Sequence, residues 1–339
     1  MIPLAPLPLQ KSKKMNKLPS INVCPALLTQ GFHTYSPEAL QRLFAQAKVS
    51  HLLPFALQTS QERFWENRKA MSLSGYQDKY SLVLEGNRLS LSQAGKRGGY
   101  ILKPISPMPK NREFAPANEH LTMQLAAQVF GIETAENAMI FFADGAPAYL
   151  VKRFDISPSG DKLAVEDFAS LLGRAPQTHG GNYKYDGSYY ELFQALKQFL
   201  LSWEAQAERL FRLLLFNYLF SNGDAHLKNF SLIEDGHGSF RLSPAYDLLN
   251  TRLHIEDTDF ALTEGLLPKA QGGIRQQFIA LASAVGLDSE WTLSTLEQMT
   301  SHSQEVETLV SRSFLSPRLQ RNYLQGYQRR VKKIRDFLK

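Results

Sequence analysis

Strand-like and helix-like patterns occupy different parts of this chain, and this division constrains the fold more than any other feature. Short β-type runs at residues 81–84 and 100–102 are bounded by glycine-containing turns. Two more strands are predicted within residues 138–154, around a turn at Asp144-Gly145. From about residue 165 onward the spacing of apolar residues is mainly helical. Segregation of this kind predicts an α+β architecture and argues against an alternating βαβ sheet.

The sequence predicts three helices. Residues 36–47 begin with Ser36 as a capping residue and a proline in the first turn. A second helix is predicted from about Asn118 to Phe130, where Gly131 can end it. The most regular apolar stripe predicts a long helix over residues 203–220.

Composition sets the broad class of the protein. The chain has 339 residues, of which 43% are hydrophobic and 21% charged, so global disorder is excluded. Its net charge of +6 suits an anionic ligand or partner, but it does not by itself argue for DNA binding. The single cysteine, Cys24, excludes an internal disulfide and is consistent with a reducing cytoplasm.

The domain organisation follows from these patterns. We expect a flexible basic tail at residues 1–20, a strand-rich N-terminal lobe at 21–154 and a helical C-terminal lobe at 155–339. The tail has its apolar part before its basic part, the reverse of a secretory signal, and no apolar run is long enough to span a bilayer. The basic run at residues 329–335 is interpreted as a solvated helix end.

Residues 221–230 form the most informative stretch for chemistry. Asp224 and Asn229 give the pattern D-x-x-x-x-N after the long predicted helix, and a hairpin-like pair at 231–233 and 240–242 leads to Asp247. Phosphoryl transfer needs one carboxylate as a base, with an amide and a second carboxylate to hold Mg²⁺. A cluster of ordinary turn residues is the alternative, since Asn-Gly-Asp is also common in turns.

Two upstream segments could contact a nucleotide. Lys103 lies at a strand end, and Glu119, 16 residues later, opens the next predicted helix. In kinases a strand lysine reaches the phosphates and pairs with a helix glutamate, although a lone surface lysine is the commoner reading. A Ser/Gly turn at residues 71–79 could cradle phosphates with its backbone N–H groups.

Several enzyme classes are excluded by missing motifs. The chain has no G-x-x-x-x-G-K-[ST] and no G-x-G-x-x-G, which argues against P-loop and Rossmann proteins. It also lacks H-E-x-x-H, C-x-x-C and G-x-S-x-G, the usual metalloprotease, thiol and hydrolase signatures. Its eight histidines show no metal-ligand spacing, and only His226 shares a loop with Asp224.

Together these motifs resemble the HipA-type serine/threonine kinase toxins of bacterial toxin–antitoxin modules. The matching segments are collinear and lie at residues 74–79, 101–104, 118–119, 152–155, 166–167, 222–229 and 244–247. The most specific is N-G-D-x-H-x-K-N, followed by an Asp 23 residues after the first. The chain is shorter than a full-length HipA, and residues 21–70 with Ser-x-Ser-Gly at 72–75 resemble the short HipT-type kinases. The resemblance implies a two-lobed, protein-kinase-like fold.

The resemblance also implies roles for individual residues, with ATP and Mg²⁺ as cofactors. Asp224 would be the catalytic base, and Asn229 and Asp247 would bind Mg²⁺. Autophosphorylation is implied at Ser72 and Ser74. The implied ATP-binding residues are Ser74, Gly75, Tyr76, Gln77, Asp78, Lys79, Lys103, Lys152, Arg153, Phe154, His226, Lys228, Asn229, Tyr246 and Asp247. Whether His226 or Lys228 reaches the γ-phosphate stays open.

A toxin kinase of this type implies particular partners. The acceptor would be an aminoacyl-tRNA synthetase, with the tryptophanyl enzyme favoured and the glutamyl enzyme as the alternative. Two antitoxins are implied, one small protein equivalent to the missing N-terminal subdomain and one DNA-binding protein through which DNA is contacted indirectly. A bacterial cytoplasmic location without membrane contact is expected.

Two other functions remain open at this point. A small-molecule kinase of the aminoglycoside or choline type would share the catalytic pattern. A non-enzymatic basic regulator that binds operator DNA would need a compact helix-turn-helix, and the sequence shows none.

Overall fold

The structure, a computed structural model, describes residues 20–58, 79–93, 98–157, 159–236 and 238–336. The predicted α+β segregation is confirmed, because strands dominate up to residue 152 and helices dominate after residue 168. Most of the predicted basic tail and the Ser/Gly turn up to Asp78 lie outside the described residues. Ser72 and Ser74 are therefore predictions of the sequence alone.

A five-stranded antiparallel sheet forms the first half of the molecule, with strand order β2-β1-β3-β5-β4. Its strands are β1 (Tyr80–Glu85), β2 (Arg88–Leu91), β3 (Tyr100–Pro104), β4 (Asn137–Phe141) and β5 (Pro147–Lys152). Because side chains alternate across a strand, Leu102 faces one core and its neighbour Lys103 faces the other side. The strands β4 and β5 are buried on both faces, which explains their nearly continuous apolar sequences.

Two helices cover the two faces of this sheet. Helix α1 (Pro37–Phe44) is capped by Ser36, as predicted, and it ends at Ala45 in a left-handed conformation. Helix α2 (Ala115–Gln128) begins three residues before the predicted start, because Pro116 is tolerated in a first helical turn. Glu119 therefore lies in the second turn of α2 and does not open the helix, which corrects the sequence-based prediction.

Helix α2 is buried on nearly every side, between the sheet and the helical half. The Asn118 side chain donates a hydrogen bond to the Asn250 carbonyl at 2.8 Å and accepts one from the Asn250 N–H at 3.1 Å. The Thr122 hydroxyl lies 2.8 Å from that of Tyr323. These buried polar contacts fix the helix that carries Glu119 to the helical half.

A second, three-stranded sheet supports the loop that holds Asp224 and Asn229. It consists of β6 (Val165–Asp167), β7 (Ser231–Glu234) and β8 (Phe240–Leu242), in the order β6-β7-β8. The predicted hairpin of β7 and β8 is confirmed. The sequence did not predict β6, because three residues carry too little periodicity to show a strand.

The remaining α-helices belong to the helical half, and most of them pack around one continuous core. They are α3 (Phe168–Leu171), α4 (Pro176–His179), α5 (Tyr190–Phe199), α6 (Trp203–Leu219), α7 (Ile274–Val285), α8 (Ser289–Met299), α9 (Ser303–Ser311) and α10 (Pro317–Arg335). The central helix α6 is followed by Phe220, whose ring stacks on Tyr327 of α10 with centroids 4.9 Å apart. Within the described ranges no helix is long and apolar enough to cross a membrane.

The basic run at the end of α10 is only partly solvated, contrary to the sequence-based interpretation. Arg330 is 4% exposed, and its guanidinium lies 4.4 Å from the centroid of the Tyr218 ring. Arg329 and Lys333 are exposed as predicted. Burial of Arg330 is possible because Asp259 accepts a hydrogen bond from its Nη2 at 2.7 Å.

Candidate active site

A buried ion-pair cluster joins the sheet, helix α2 and the segment after β8. The Nζ atom of Lys103, at the end of β3, donates to Oε1 of Glu119 at 2.6 Å and also contacts Oδ1 of Asp247. The side chains of Lys103 and Glu119 are 7% and 8% exposed. Lys79 approaches the other Asp247 oxygen at 4.0 Å. The Lys103–Glu119 pair that the sequence suggested is therefore present, and Asp247 joins it in one cluster.

The charges in this cluster support one another. Burial alone would lower the pKa of Lys103, but the Asp247 and Glu119 carboxylates outweigh that effect and raise it. Burial acts to raise the pKa of Asp247, yet the Lys103 and Lys79 ammonium groups hold it well below its usual range. For Glu119 burial is the larger influence, and the pKa is raised despite Lys103. Asp247 is thus the firmly ionised carboxylate, as a metal ligand needs to be.

Two residues flanking this site have left-handed backbone conformations. Asp247 has φ = 55° and Ser221, at the start of the Asp224 loop, also has φ = 55°. Non-glycine residues seldom adopt this region, although aspartate tolerates it better than most. Such conformations cluster at functional sites, where surrounding contacts hold them in place.

The loop that follows helix α6 presents Asp224 and Asn229. The Asn229 side-chain amide donates from Nδ2 to the Asp224 carbonyl at 3.1 Å. This bond orients the amide and leaves its oxygen available as an acceptor. A one-turn 3₁₀ helix, Leu227–Asn229, brings the two residues close together despite their separation of five positions.

Two tyrosines from the segment before α5 hold this loop. The Tyr185 hydroxyl donates to Oδ1 of Asp224 at 2.8 Å, and the Tyr189 hydroxyl donates to the Ala225 carbonyl at 2.8 Å. Burial and the Asp224 carboxylate raise the pKa of Tyr185, so its hydroxyl remains a donor. Sequence reasoning missed both tyrosines, because their contacts span 36 to 39 residues of chain.

The two candidates for the γ-phosphate contact occupy different surroundings. Lys228 donates to Oδ2 of Asp167 at 2.8 Å. His226 is 8% exposed and lies edge-on to Tyr185, with ring centroids 5.3 Å apart. Burial lowers the pKa of His226, and the Asp224 carboxylate only partly offsets this. The imidazole is therefore neutral near pH 7.

Gly223 is required by the close approach of a neighbouring carboxylate. A Cβ atom at this position would lie 2.3 Å from Oδ2 of Asp257. Gly223 also donates from its backbone to Oγ1 of Thr251 at 3.1 Å. A side chain at residue 223 would displace the Asp257 carboxylate or shift the backbone next to Asp224.

Next to the ion-pair cluster lies a cleft of about 260 Å³. Its apolar walls are Ile101, Val151, Phe154, Val165 and Tyr246. The Phe154 and Tyr246 rings lie 5.6 Å apart, and the Tyr246 hydroxyl is held by the Lys228 carbonyl at 2.9 Å. Apolar walls with charged groups at one end are typical of a nucleotide cleft.

The backbone at 152–154 can offer only some of its groups to a ligand. The N–H groups of Lys152 and Arg153 donate to the carbonyls of Glu136 and Gly99, at 2.8 and 2.9 Å. Among the described residues, the Phe154 N–H and the Arg153 carbonyl have no backbone partner. These two groups are the available donor and acceptor for an adenine edge.

The donor set fits Mg²⁺ bound together with a nucleotide. Carboxylate and amide oxygens of Asp247 and Asn229 are the hard ligands that Mg²⁺ prefers. Within the described ranges no group of three or more His, Cys, Asp or Glu side chains could hold a metal alone. Phosphate oxygens and water would complete the coordination, as is usual at kinase sites.

Comparison with solved structures supports the fold. The chain superimposes on Shewanella oneidensis HipA, solved with HipB and operator DNA, with a TM-score of 0.59 and 21% identity, covering 78% of this chain and 64% of that one. The Helicobacter pylori proinflammatory kinase CtkA gives a TM-score of 0.52 with 13% identity, covering 75% of this chain and 93% of that one. The predicted two-lobed, protein-kinase-like fold is confirmed by these similarities.

Sequence relatives point the same way. A Haemophilus influenzae protein named "Putative kinase" is 25% identical over 324 residues, covering 87% of this chain and 92% of the relative. Two Sinorhizobium fredii proteins that also carry "Putative kinase" in their names are 29% and 34% identical, and the matches cover 68% and 53% of this chain. The chain spans only 58% and 42% of the length of those two relatives. A family model described as the HipA-like C-terminal domain matches residues 71–306, and the chain belongs to this family.

Proposed function

We propose that the chain is an ATP- and Mg²⁺-dependent serine/threonine protein kinase that acts as the toxin of a toxin–antitoxin module in the bacterial cytoplasm. One observation carries the proposal: the Lys103 ammonium bridges Glu119 and Asp247 at the end of an apolar cleft. That arrangement is suited to phosphate binding beside a metal ligand. Membership of the HipA-like family and the names of the relatives support it.

The residues of the cleft divide the work of nucleotide binding. Adenine would lie between the apolar walls, with Phe154 and Arg153 offering backbone groups to its edge. Lys103 would stay anchored to Glu119 and direct its remaining N–H groups at the phosphates. Lys79 adds a second positive charge at the same end. Mg²⁺, held by Asn229 and Asp247, would neutralise charge on the phosphates.

Asp224 would act on the acceptor. The Tyr185 contact shows that one carboxylate oxygen accepts a hydrogen bond from a hydroxyl at 2.8 Å. The acceptor hydroxyl would donate to the other oxygen, and its proton would pass to Asp224. The hydroxyl oxygen forms a bond to the γ-phosphorus as the bond to the β-phosphate oxygen breaks, leaving ADP and a phosphorylated side chain.

The proposed acceptor is an aminoacyl-tRNA synthetase, with the tryptophanyl enzyme first and the glutamyl enzyme second, on the strength of the sequence resemblance. The proposed partners are a small antitoxin and a DNA-binding antitoxin. The HipA with similar fold was solved with HipB and operator DNA, which supports a partner of the second kind. Autophosphorylation is proposed at Ser72 or Ser74, where a phosphate would add about −1.5 to −2 charges to a phosphate-covering loop and oppose ATP binding.

A phosphoproteome comparison tests the proposal. Wild type and Asp224→Asn are induced separately in bacteria, at matched protein levels, and phosphopeptides are quantified. We expect a serine or threonine on one synthetase, and Ser72 or Ser74 of the toxin itself, to be phosphorylated only with the wild type. A phosphorylated aminoglycoside or choline pool without any protein phosphopeptide would contradict it, as would equal phosphorylation with both forms.

A further inference from the structure

A second cavity, of about 540 Å³, lies on the helical half and shares no lining residue with the nucleotide cleft. One face of α10 forms a wall, through residues 318, 322, 325, 326, 329 and 333. The facing wall consists of residues 110, 111, 221, 250, 252 and 253. Gly326 places no side chain in the middle of this helix face.

This cavity is strongly basic. Its lining includes six cationic side chains, those of Lys110, Arg252, Arg318, Arg329, Arg330 and Lys333. Among the described residues only two carboxylates pair with any of them: Asp259 with Arg252 and Arg330, and Glu256 with Lys110. Arg318, Arg329 and Lys333 make no ion pair with the described part of the chain. The lining therefore carries several uncompensated positive charges.

One of these cations is buried and held in a fixed position. The Arg330 guanidinium stacks over the Tyr218 ring at 4.4 Å, and its Nη2 donates to Asp259 at 2.7 Å. Arg330 also interacts with the Tyr218 hydroxyl, and its Nη1 is fully buried. Arg330 thus contributes a fixed positive charge to the cavity wall, and the exposed cations of the lining can contact an anionic oxygen.

We propose that this cavity binds a small anion that carries two or more phosphate groups. The excess of positive charge favours a ligand that carries more than one negative charge. The volume lies within the range of about 300–1,000 Å³ that is usual for small-molecule pockets. The cations converge on a concavity from three chain segments, which suits a compact ligand better than an extended nucleic-acid backbone.

The position of the cavity gives the bound anion a connection to the candidate active site. Ser221, which lines the cavity, opens the Asp224 loop. The Thr251 N–H donates to the Ser221 carbonyl at 3.1 Å, and the Thr251 hydroxyl accepts from the Gly223 N–H at 3.1 Å. An anion in this cavity therefore contacts segments that are hydrogen-bonded to the start of the Asp224 loop.

Calorimetric titration of the full chain with inorganic tripolyphosphate, at physiological salt, tests the site without any activity measurement. The test variant is Arg329→Gln/Lys333→Gln, which changes two exposed residues of the cavity. The matched control is Arg321→Gln/Lys332→Gln, on the same helix, with the same charge change and outside the lining. We expect the test pair to bind at least about tenfold more weakly than wild type and the control pair to bind like wild type.

Hydrogen exchange with and without tripolyphosphate locates the bound probe. Protection is expected in α10 and residues 250–253 of wild type and should be lost there in the test pair, whether or not the probe also protects β3, which lines the nucleotide cleft. Equal losses in both variant pairs, protection confined to β3, or no binding by wild type would each overturn the proposal. A short DNA duplex that binds wild type, is lost in the test pair and is not displaced by tripolyphosphate would overturn it in favour of a nucleic-acid surface.

Discussion

Replacing Lys103 with methionine tests the ion-pair cluster most sharply. The substitution keeps much of the aliphatic stem and removes the ammonium that lies between Glu119 and Asp247. The Glu119 and Asp247 carboxylates remain without the cation between them, and the Glu119 side chain is only 8% exposed. We expect Lys103→Met to lose phosphoryl transfer and to unfold at a lower urea concentration than wild type.

The size of the effect follows from burial. Removing one partner of a buried ion pair costs about 3–5 kcal/mol, because the other charge is left without compensation. Glu119 can escape part of that cost by binding a proton. Burial already raises the pKa of Glu119, and without Lys103 the Asp247 charge adds to the rise. Each unit by which the pKa of Glu119 rises on folding lowers the free-energy cost of protonating Glu119 in the folded state by about 1.4 kcal/mol.

The sign of the pH dependence can be worked out from these shifts. A carboxyl whose pKa is raised on folding binds more protons when folded, so its contribution to stability falls as the pH rises from the unfolded pKa to the folded one. Asp247 has a lowered pKa, and its stabilisation is lost only in more acidic solution than the unfolded pKa of about 3.9. Between pH 5 and 8 the pH-dependent part of the Lys103→Met loss therefore comes mainly from Glu119, because Lys79 remains beside Asp247 and still lowers the pKa of that carboxyl.

Urea unfolding followed by circular dichroism at pH 5 and pH 8 measures this difference. The control is Lys103→Met/Glu119→Gln, which removes both the cation and the group that takes up the proton. We expect the single variant to lose clearly more stability at pH 8 than at pH 5, and the double variant to show a nearly pH-independent loss. Equal losses for the single variant at both pH values would refute the reasoning, as would wild-type phosphoryl transfer by either variant.

Two further predictions concern the Asp224 loop. Tyr185→Phe removes the hydrogen bond to Asp224, so we expect phosphoryl transfer to slow by about tenfold while nucleotide affinity stays unchanged. Single-turnover kinetics measure the transfer, and a nucleotide titration measures the affinity. Weaker ATP binding with unchanged turnover would contradict this. Gly223→Ala places a Cβ atom 2.3 Å from the Asp257 carboxylate, so the variant should unfold at a lower urea concentration than wild type. Adding Asp257→Ala should restore part of the lost stability. Equal stability of the single and double variants would argue against the close approach.

Sequence patterns predicted the elements whose signals are local. The capping residue Ser36, the turn at Asp144-Gly145 and the apolar stripe of α6 each act within a few residues, and the corresponding elements appear as expected. The D-x-x-x-x-N spacing likewise identifies Asp224 and Asn229 as candidate site residues from the sequence alone. A short sequence separation is enough to bring these two together, because a single 3₁₀ turn lies between them.

The features that could not be predicted depend on contacts between distant parts of the chain. Tyr185 reaches Asp224 across 39 residues, and its only sequence signal is a position within a glycine-bounded polar segment. The tight contact of Gly223 with Asp257 leaves no periodic trace at all. Helix α2 is enclosed on nearly all sides, since the helical half covers the face that the sheet leaves free, and the predicted bounds of the helix did not indicate this.

Separating the roles of the two carboxylates tests the central claim most directly. The measurement is Mg²⁺-dependent ATP affinity together with single-turnover transfer from labelled ATP, for Asp224→Asn and Asp247→Asn beside wild type. Both variants should fail to transfer phosphate. Asp224→Asn should bind Mg²⁺-ATP like wild type, because only the base is lost, whereas Asp247→Asn should bind at least about tenfold more weakly and respond little to Mg²⁺. Transfer at the wild-type rate by both variants would contradict the account.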